Sequence, residues 1–394
     1  MSAKDRKIKS YFVFLLLESE RASLLIKRLS RSALTRLLIA LGVPVFAGLC
    51  VFAFYLIVGS LLADLSSSQV RAAQSSVPLQ SYVLIPGLNP FVPLLYGLLA
   101  LIIAVTIHEA AHGVVAWRSG VKVEGAGIIL LGFIPVGAYV RPAEEEYNSK
   151  SLRQKLNIMS AGVTANLIVA LVCLALLVFL ILPTVSVAQD ARRGVAVYYV
   201  SKGSPANLAG IVPGDIIKAI DGYQIPNMSY LSYLEAKVFK PGENVSILLQ
   251  GGKSVNLVFE PSPINHSIAI MGIIPFDPQE ELRAWTHPST PLVYFAPASY
   301  YPSPFNSLTQ NIYTSPIPAW QQISNLLFWI WWVNVNLAVF NALPMYLLDG
   351  GQFVKEVFTS LFGSKARAER ATGYVSALVL GLILSLILIP RLFG

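Results

Sequence analysis

The chain has 394 residues, 55% of them apolar and only 13% charged, with a net charge of +8. Soluble globular proteins carry about a quarter charged residues, so this composition excludes an ordinary soluble enzyme and points to a protein that meets lipid. The positive charge is not a nucleic-acid footprint, because Lys and Arg crowd residues 1–36, 118–155 and 355–370, as they do in the cytoplasmic segments of membrane proteins.

Residues 1–36 are basic with apolar patches from Tyr11 to Leu17 and from Leu24 to Ile26. They are expected at the cytoplasmic surface of the bilayer. The segment is too long and too broken by charge to read as a cleaved signal peptide. Five later stretches, near 37–62, 91–117, 160–182, 323–348 and 371–390, are long and apolar enough to span a membrane, which takes about 20 residues each. The fold class is therefore a polytopic α-helical membrane protein of about five or six spans. With five spans, the N-terminus and the loops 118–159 and 350–370 share one side, the basic one, and that side is read as cytoplasmic.

Between the first two spans, residues 63–90 read as an outer loop rich in Ser and Pro. After the second span, Val121 to Val140 is apolar but holds Gly125, Gly127, Gly132, Gly137 and Pro135. Glycine and proline break helices, and the β-branched and aromatic residues between them favour strands. One or two β-hairpins are expected there, covered by protein or lining a wet cavity, because bare backbone cannot face lipid; an ordinary surface loop is the alternative. Residues 190–262 change character, with strand-like runs at 195–200, 245–250 and 254–259 separated by Gly/Pro turns. They read as a small outer domain, followed by an extended outer segment at 263–321 and a second membrane part at 322–394. The two cysteines, Cys50 and Cys173, lie inside spans and read as packing residues, not as a disulfide or metal site.

The chemistry concentrates in the second span, at His108-Glu109-Ala110-Ala111-His112. Residues i and i+4 share a helix face, so two imidazoles can grip one zinc ion while Glu109, rotated about 100° around the axis, stands beside it as a general base. Ionisable residues inside a span mark function by default. A catalytic zinc site needs a third protein ligand and an open position. Asp349, in Leu348-Asp349-Gly350-Gly351 at the end of the fourth span, is the main candidate at the right depth. Asp349 can also serve as the N-cap of a helix starting at Gln352.

His108-Glu109-x-x-His112 together with Asn341-x-x-Pro344-x-x-x-x-Asp349-Gly350 resembles the site-2 protease family of intramembrane zinc metalloproteases. Gly162-x-x-x-Asn166 in the third span also resembles a family motif, and the basic N-terminus is similar to that of archaeal members. The segment Gly203 to Gly222 resembles a PDZ domain, and the glycine-rich 125–141 stretch is similar to the family's membrane-associated β-hairpins. The resemblance implies one Zn²⁺ per chain, held by His108, His112 and Asp349, with Glu109 catalytic and Asn341 holding substrate or stabilising an oxyanion. An interhelical hydrogen bond is the plainer role for Asn341. The implied reaction is hydrolysis of a peptide bond in the transmembrane segment of a single-pass membrane protein, in the manner of regulated intramembrane proteolysis, in some cases after an upstream site-1-type protease. Gly137 in an edge strand, Asn166, and Gly194 at the implied carboxylate loop of the PDZ-like domain are the candidate substrate contacts. That outer domain would bind peptide or act as a size filter. The competing reading from another class is a membrane metal transporter or sensor using the same ligands. A third is an inactive scaffold.

Overall fold

The computed structural model describes the chain except residues 1–5, 12–13, 132–133, 264, 288–290, 296–301, 310 and 394. It contains two compact units, Met1–Cys173 with Trp329–Gly394, and Leu174–Phe328.

Five helices are long and apolar enough to cross a membrane: α2 (Ala33–Ser66), α4 (Leu94–Arg118), α6 (Leu152–Ala175, running on to Thr184), α10 (Trp320–Ala342) and α12 (Lys365–Phe393). Shorter helices are α1 (Glu20–Leu29), α3 (Ser68–Ser75), α5 (Glu144–Asn148), α7 (Pro205–Leu208), α8 (Met228–Lys237), α9 (Pro278–Thr286) and α11 (Asp349–Phe362). Local signals set their ends. Ser19, Ser32 and Ser67 cap α1, α2 and α3 by accepting backbone N–H bonds. Helix α4 closes on Gly120, whose φ of 76° suits only glycine without strain, and the N–H of Val121 returns to the carbonyl of Ala116.

The first unit brings α2, α4 and α6 together through small residues. A Cβ on Gly42 of α2 would lie 2.6 Å from Ser160 Oγ of α6, and Thr164 donates to the Gly42 carbonyl. Such close approach lets helices associate where lipid offers no hydrophobic driving force. Around it, Ala111, Val115 and Ala116 of α4 pack with Ile158, Ala161 and Ala165 of α6. On the next face Phe46 of α2 joins Val163, Ala338 and Ala342 and stacks on Phe353 of α11 at 4.4 Å.

A four-stranded antiparallel sheet completes this unit: β1 (Arg6–Tyr11), β2 (Phe14–Ser19), β3 (Val123–Leu131) and β4 (Ile134–Pro142), in that order. The hairpin expected in 121–140 is β3–β4. The N-terminal segment, expected only as a surface stretch, supplies two further strands and the amphipathic helix α1. Gly127 permits the close β2–β3 pairing, since a Cβ there would lie 2.1 Å from the Leu17 carbonyl oxygen.

The fourth span differs from the expected 323–348. Helix α10 stops at Ala342, because Pro344 lacks an N–H and disfavours the helical conformation of the residue before it. Six residues turn the chain, and α11 starts at Asp349 with Leu348 as its cap. Asp349 is thus a first-turn residue and does not cap a helix at Gln352.

The second unit holds β5 (Ser186–Val187), β6 (Val195–Val200), β7 (Ile216–Ile220), β8 (Tyr223–Gln224), β9 (Asn244–Leu249), β10 (Ser254–Val258), β11 (Glu260–Pro261), β12 (Ala269–Ile270), β13 (Ile273–Phe276) and β14 (Tyr313–Thr314). Its main sheet runs β10-β9-β7-β6-β13 with β8 beside β7, over a core that includes Val197, Ile217, Ile220, Leu231 and Ile247. The stretch 263–321, expected as an extended segment, carries β12, β13, α9 and β14. It also carries a core of its own, in which fully buried Trp285 meets Tyr294 and Phe305 edge-on. These aromatics are too widely spaced to show a period, so only their packing reveals them.

Candidate metal centre

His108 and His112 lie one turn apart on α4, and the break at Pro344 delivers Asp349 to them from α11. Asp349 Oδ2 is 3.0 Å from His108 Nε2 and 3.2 Å from His112 Nε2, and the two Nε2 atoms are 3.2 Å apart. Ligands held tetrahedrally at about 2.0–2.1 Å stand about 3.3 Å from one another, so the three atoms already form one face of such a site. Among the described residues they are the one cluster of three or more metal-ligating side chains.

The tautomers agree with a cation at the centre of that face. His112 Nδ1 lies 2.6 Å from the Ile158 carbonyl and must donate to it, which leaves Nε2 as a bare lone pair. His108 Nδ1 lies 3.4 Å from the side-chain amide of Asn166. The amide oxygen of Asn166 is buried without a partner, and an amide rotated by half a turn would offer that oxygen to the Nδ1–H. Then His108 Nε2 is also a lone pair. Asp349 Oδ2 is buried and, among the described residues, faces only the two imidazole nitrogens within hydrogen-bonding range. With those tautomers, three electron-rich atoms converge on one point, an arrangement that a Zn²⁺ ion satisfies. Asp349 gains further from the positive end of α11, at whose first turn it sits.

Gly162 supplies the room. A Cβ there would lie 2.5 Å from His112 Nε2 and 2.7 Å from His108 Nε2, inside the space the ligands enclose. The motif Gly162-x-x-x-Asn166 thus serves the metal centre from two successive turns of α6. Asn166, expected among the substrate contacts, is fully buried beside His108. The loop before α11 is equally tight. A Cβ on Gly350 would meet the Leu343 carbonyl oxygen at 2.0 Å, and one on Gly351 the Met345 oxygen at 2.2 Å.

The carboxylate of Glu109 reaches β4, where its Oε2 accepts the N–H of Val140 at 3.1 Å. That N–H therefore points away from β3, along the free edge of the sheet. Glu109 also lines an apolar cleft of about 510 Å³ between α1, α4 and the sheet, with Ala22, Ile26, Ala126 and Tyr139 among its walls. Gly137 sits in β4 opposite Ile129. Asn341 is half-buried in the last turn of α10.

Gly194 lies elsewhere, in the second unit at the start of β6, with φ 116° and the Ile217 carbonyl where a Cβ would be. A peptide cannot add to β6 there, because β7 and β13 occupy its two sides. Among the described residues, the free edge on that side of the sheet belongs to β13. Chain order alone hid this, since β13 follows β6 by more than seventy residues.

Comparisons with known proteins point to one family. The family described as Peptidase family M50 matches residues 96–386, which include α4, α6, α10 and α11. An uncharacterized protein of Methanocaldococcus jannaschii is 26% identical over 295 residues, covering 74% of this chain but 65% of that protein, so the chain spans just under two thirds of that relative's length. A protein of Synechocystis sp. provisionally named a zinc metalloprotease is 27% identical over 75% of this chain and 92% of its own. The regulator of sigma-E protease RseP of Salmonella typhimurium is 29% identical over 48% of this chain and 49% of its own. A matched region of this extent, containing the zinc-type ligand set and the adjacent glutamate, makes the chain a member of peptidase family M50, the site-2 type of zinc metalloprotease.

Proposed function

We propose that this multi-pass membrane protein is an intramembrane zinc endopeptidase that hydrolyses a peptide bond within or near the transmembrane segment of a single-pass membrane protein. The observation that carries the reading is the convergence of His108, His112 and Asp349 at 3.0–3.2 Å beside Glu109. Those three residues would hold zinc. A bound zinc supplies Lewis acidity, which acidifies water toward a pKa of about 7 and polarises a carbonyl. Glu109 takes the proton of the attacking water and returns it to the leaving amine. To do so it releases the N–H of Val140, which then joins the free edge of β4. An unwound stretch of substrate adds along that edge near Gly137, its backbone paired and its side chains alternating. Asn341 steadies the carbonyl oxygen as charge develops on it.

We infer from the clustering of Lys and Arg that the N-terminus and the metal end of α4 face the cytoplasm, with the outer unit opposite. The outer unit is read as PDZ-like. Any peptide it holds would add at β13, although Pro275 removes one donor from that strand. An upstream site-1-type protease would trim substrates before they reach the membrane site.

The test is Glu109→Gln. The variant keeps stoichiometric zinc, while cleavage of a membrane-embedded reporter in liposomes falls by at least about a hundredfold. Undiminished cleavage would sink the proposal. Asn341→Ala should lower kcat by about a hundredfold with KM and zinc content little changed. A drop in zinc content would instead make Asn341 a structural residue.

A further inference from the structure

A second cluster of ionisable groups stands on α5, α6 and α11 of the first unit, apart from the ligands. Lys155 Nζ of α6 lies 3.1 Å from Glu356 Oε2 of α11. Tyr147 of α5 donates its hydroxyl to Glu356 Oε1 at 3.4 Å, and the Lys155 ammonium rests over the Tyr147 ring at 5.4 Å. The two charges are sheltered, with side-chain exposures of 12% and 16%. Burial first, then the Glu356 charge, pushes the Tyr147 phenol well above its usual range, so its proton stays in the bond to the carboxylate.

The placement of these residues along their helices is what matters. Glu356 follows Asp349 by seven residues, two turns along the same face of α11 and about 10.5 Å away. Lys155 precedes Ile158 by three residues and Gly162 by seven, so it shares the face of α6 that accepts the His112 proton and leaves room for both rings. Tyr147 follows β4, whose Val140 N–H holds Glu109, by five residues beyond the strand's end at Pro142. The cluster therefore joins α11, which carries the carboxylate ligand, to α6, which supports the imidazoles, and to α5, which follows the strand that holds the glutamate.

The loop before α11 does not do this alone. Gly350 and Gly351 let the chain turn tightly under the end of α10, but they carry no side chain that could set the rotation of α11 about its own axis. A sheltered, hydrogen-bonded ion pair does set it, since its geometry is lost when either helix turns.

We propose that Glu356, paired with Lys155 and Tyr147, is a positioning residue that fixes the rotation of α11 and so the reach of Asp349 to the metal site. This rests on the zinc reading of His108, His112 and Asp349. It adds to that reading an element two turns away that touches neither metal nor substrate.

The experiment measures zinc affinity of the full-length protein in detergent by competition with a chromophoric chelator, alongside kcat and KM on a reporter substrate. Glu356→Gln should weaken zinc binding by about tenfold or more, in the range seen when outer partners of a ligand are removed, and lower kcat more than KM. Tyr147→Phe, which keeps the ring under Lys155 and loses only the hydroxyl, should weaken it by a few fold and remains informative if Glu356→Gln does not fold. Lys155→Arg, which preserves the pair, should bind zinc as the wild type does. Glu369→Gln serves as the comparison, because it breaks the more exposed pair of α11 with α12, Lys355 to Glu369 at 3.5 Å, and should leave affinity unchanged. Wild-type affinity in both Glu356→Gln and Tyr147→Phe, or an equal loss in Glu369→Gln, overturns the proposal. Failure of the wild type to take up stoichiometric zinc would overturn the metal-site reading itself, a separate outcome.

Discussion

Gly162 and Asn166 do opposite work on the same pair of rings. Gly162 is needed for what it lacks, since any Cβ would enter the space between His108 and His112. Gly162→Ala should therefore abolish stoichiometric zinc binding, as measured by metal analysis of folded protein, while Gly373→Ala on α12, whose Cβ meets nothing within 4 Å, should not. Asn166 is needed for its amide oxygen, which can hold the Nδ1 proton of His108 and present Nε2 to the metal. Asn166→Leu should cost about 10–100-fold in zinc affinity, as loss of such an outer partner does. Unchanged affinity would mean that packing alone orients the ring. The His-Glu-x-x-His spacing made the ligands legible in the sequence, and Asp349 was legible by depth. The role of Asn166 was not, because its partner lies 58 residues away and a family motif looks the same whether it touches substrate or ligand.

Two elements carry the active-site architecture in ways that a hydropathy pattern cannot express. The first is the stop at Ala342. An apolar run through 348 reads as one span, yet Pro344 ends the helix and the six-residue turn redirects the chain so that Asp349 enters from the N-terminus of α11. The second is the sheet. Strands β3 and β4 were expected from their glycines and β-branched residues, but β1 and β2 come from a basic segment whose charges mask its alternation. The pairing of β2 with β3 depends on the bare backbone at Gly127. Gly127→Val would drive a side chain into the Leu17 carbonyl, and residues 6–19 should then become cleavable by added protease in proteoliposomes whose wild-type counterpart resists. If both resist equally, β2 does not depend on that contact.

At the scale of the whole molecule, the second unit is stabilised by an aromatic core with an acid inside it. Glu281 accepts the indole N–H of Trp285 at 2.8 Å, yet burial raises its pKa from about 4.5 to about 7 against that bond. Between those values the folded form keeps a proton that the unfolded chain releases. The contribution is therefore fully present below the unfolded value and is lost as pH rises through the folded one. Hydrogen exchange of residues 278–287 in the full-length protein should show less protection at pH 8 than at pH 5. Glu281→Gln, which still accepts from Trp285 and cannot ionise, should flatten that difference and leave the segment better protected at pH 8. The same pH dependence in both proteins would show that Glu281 ionises normally.

Sequence by itself determined the class of this protein, the number of its long apolar helices and the zinc-type spacing of its histidines. Length of apolar run, clustering of basic residues and the i, i+4 spacing of histidines are local properties, and local physics reads them directly. Only the tertiary structure decided which residues enclose the ligands, which strand edge is free and what fixes the rotation of α11. Those depend on pairs such as His108 with Asn166, β6 with β13 and Lys155 with Glu356, whose partners are distant in the chain and meet only because buried polar groups must find one another once the helices pack.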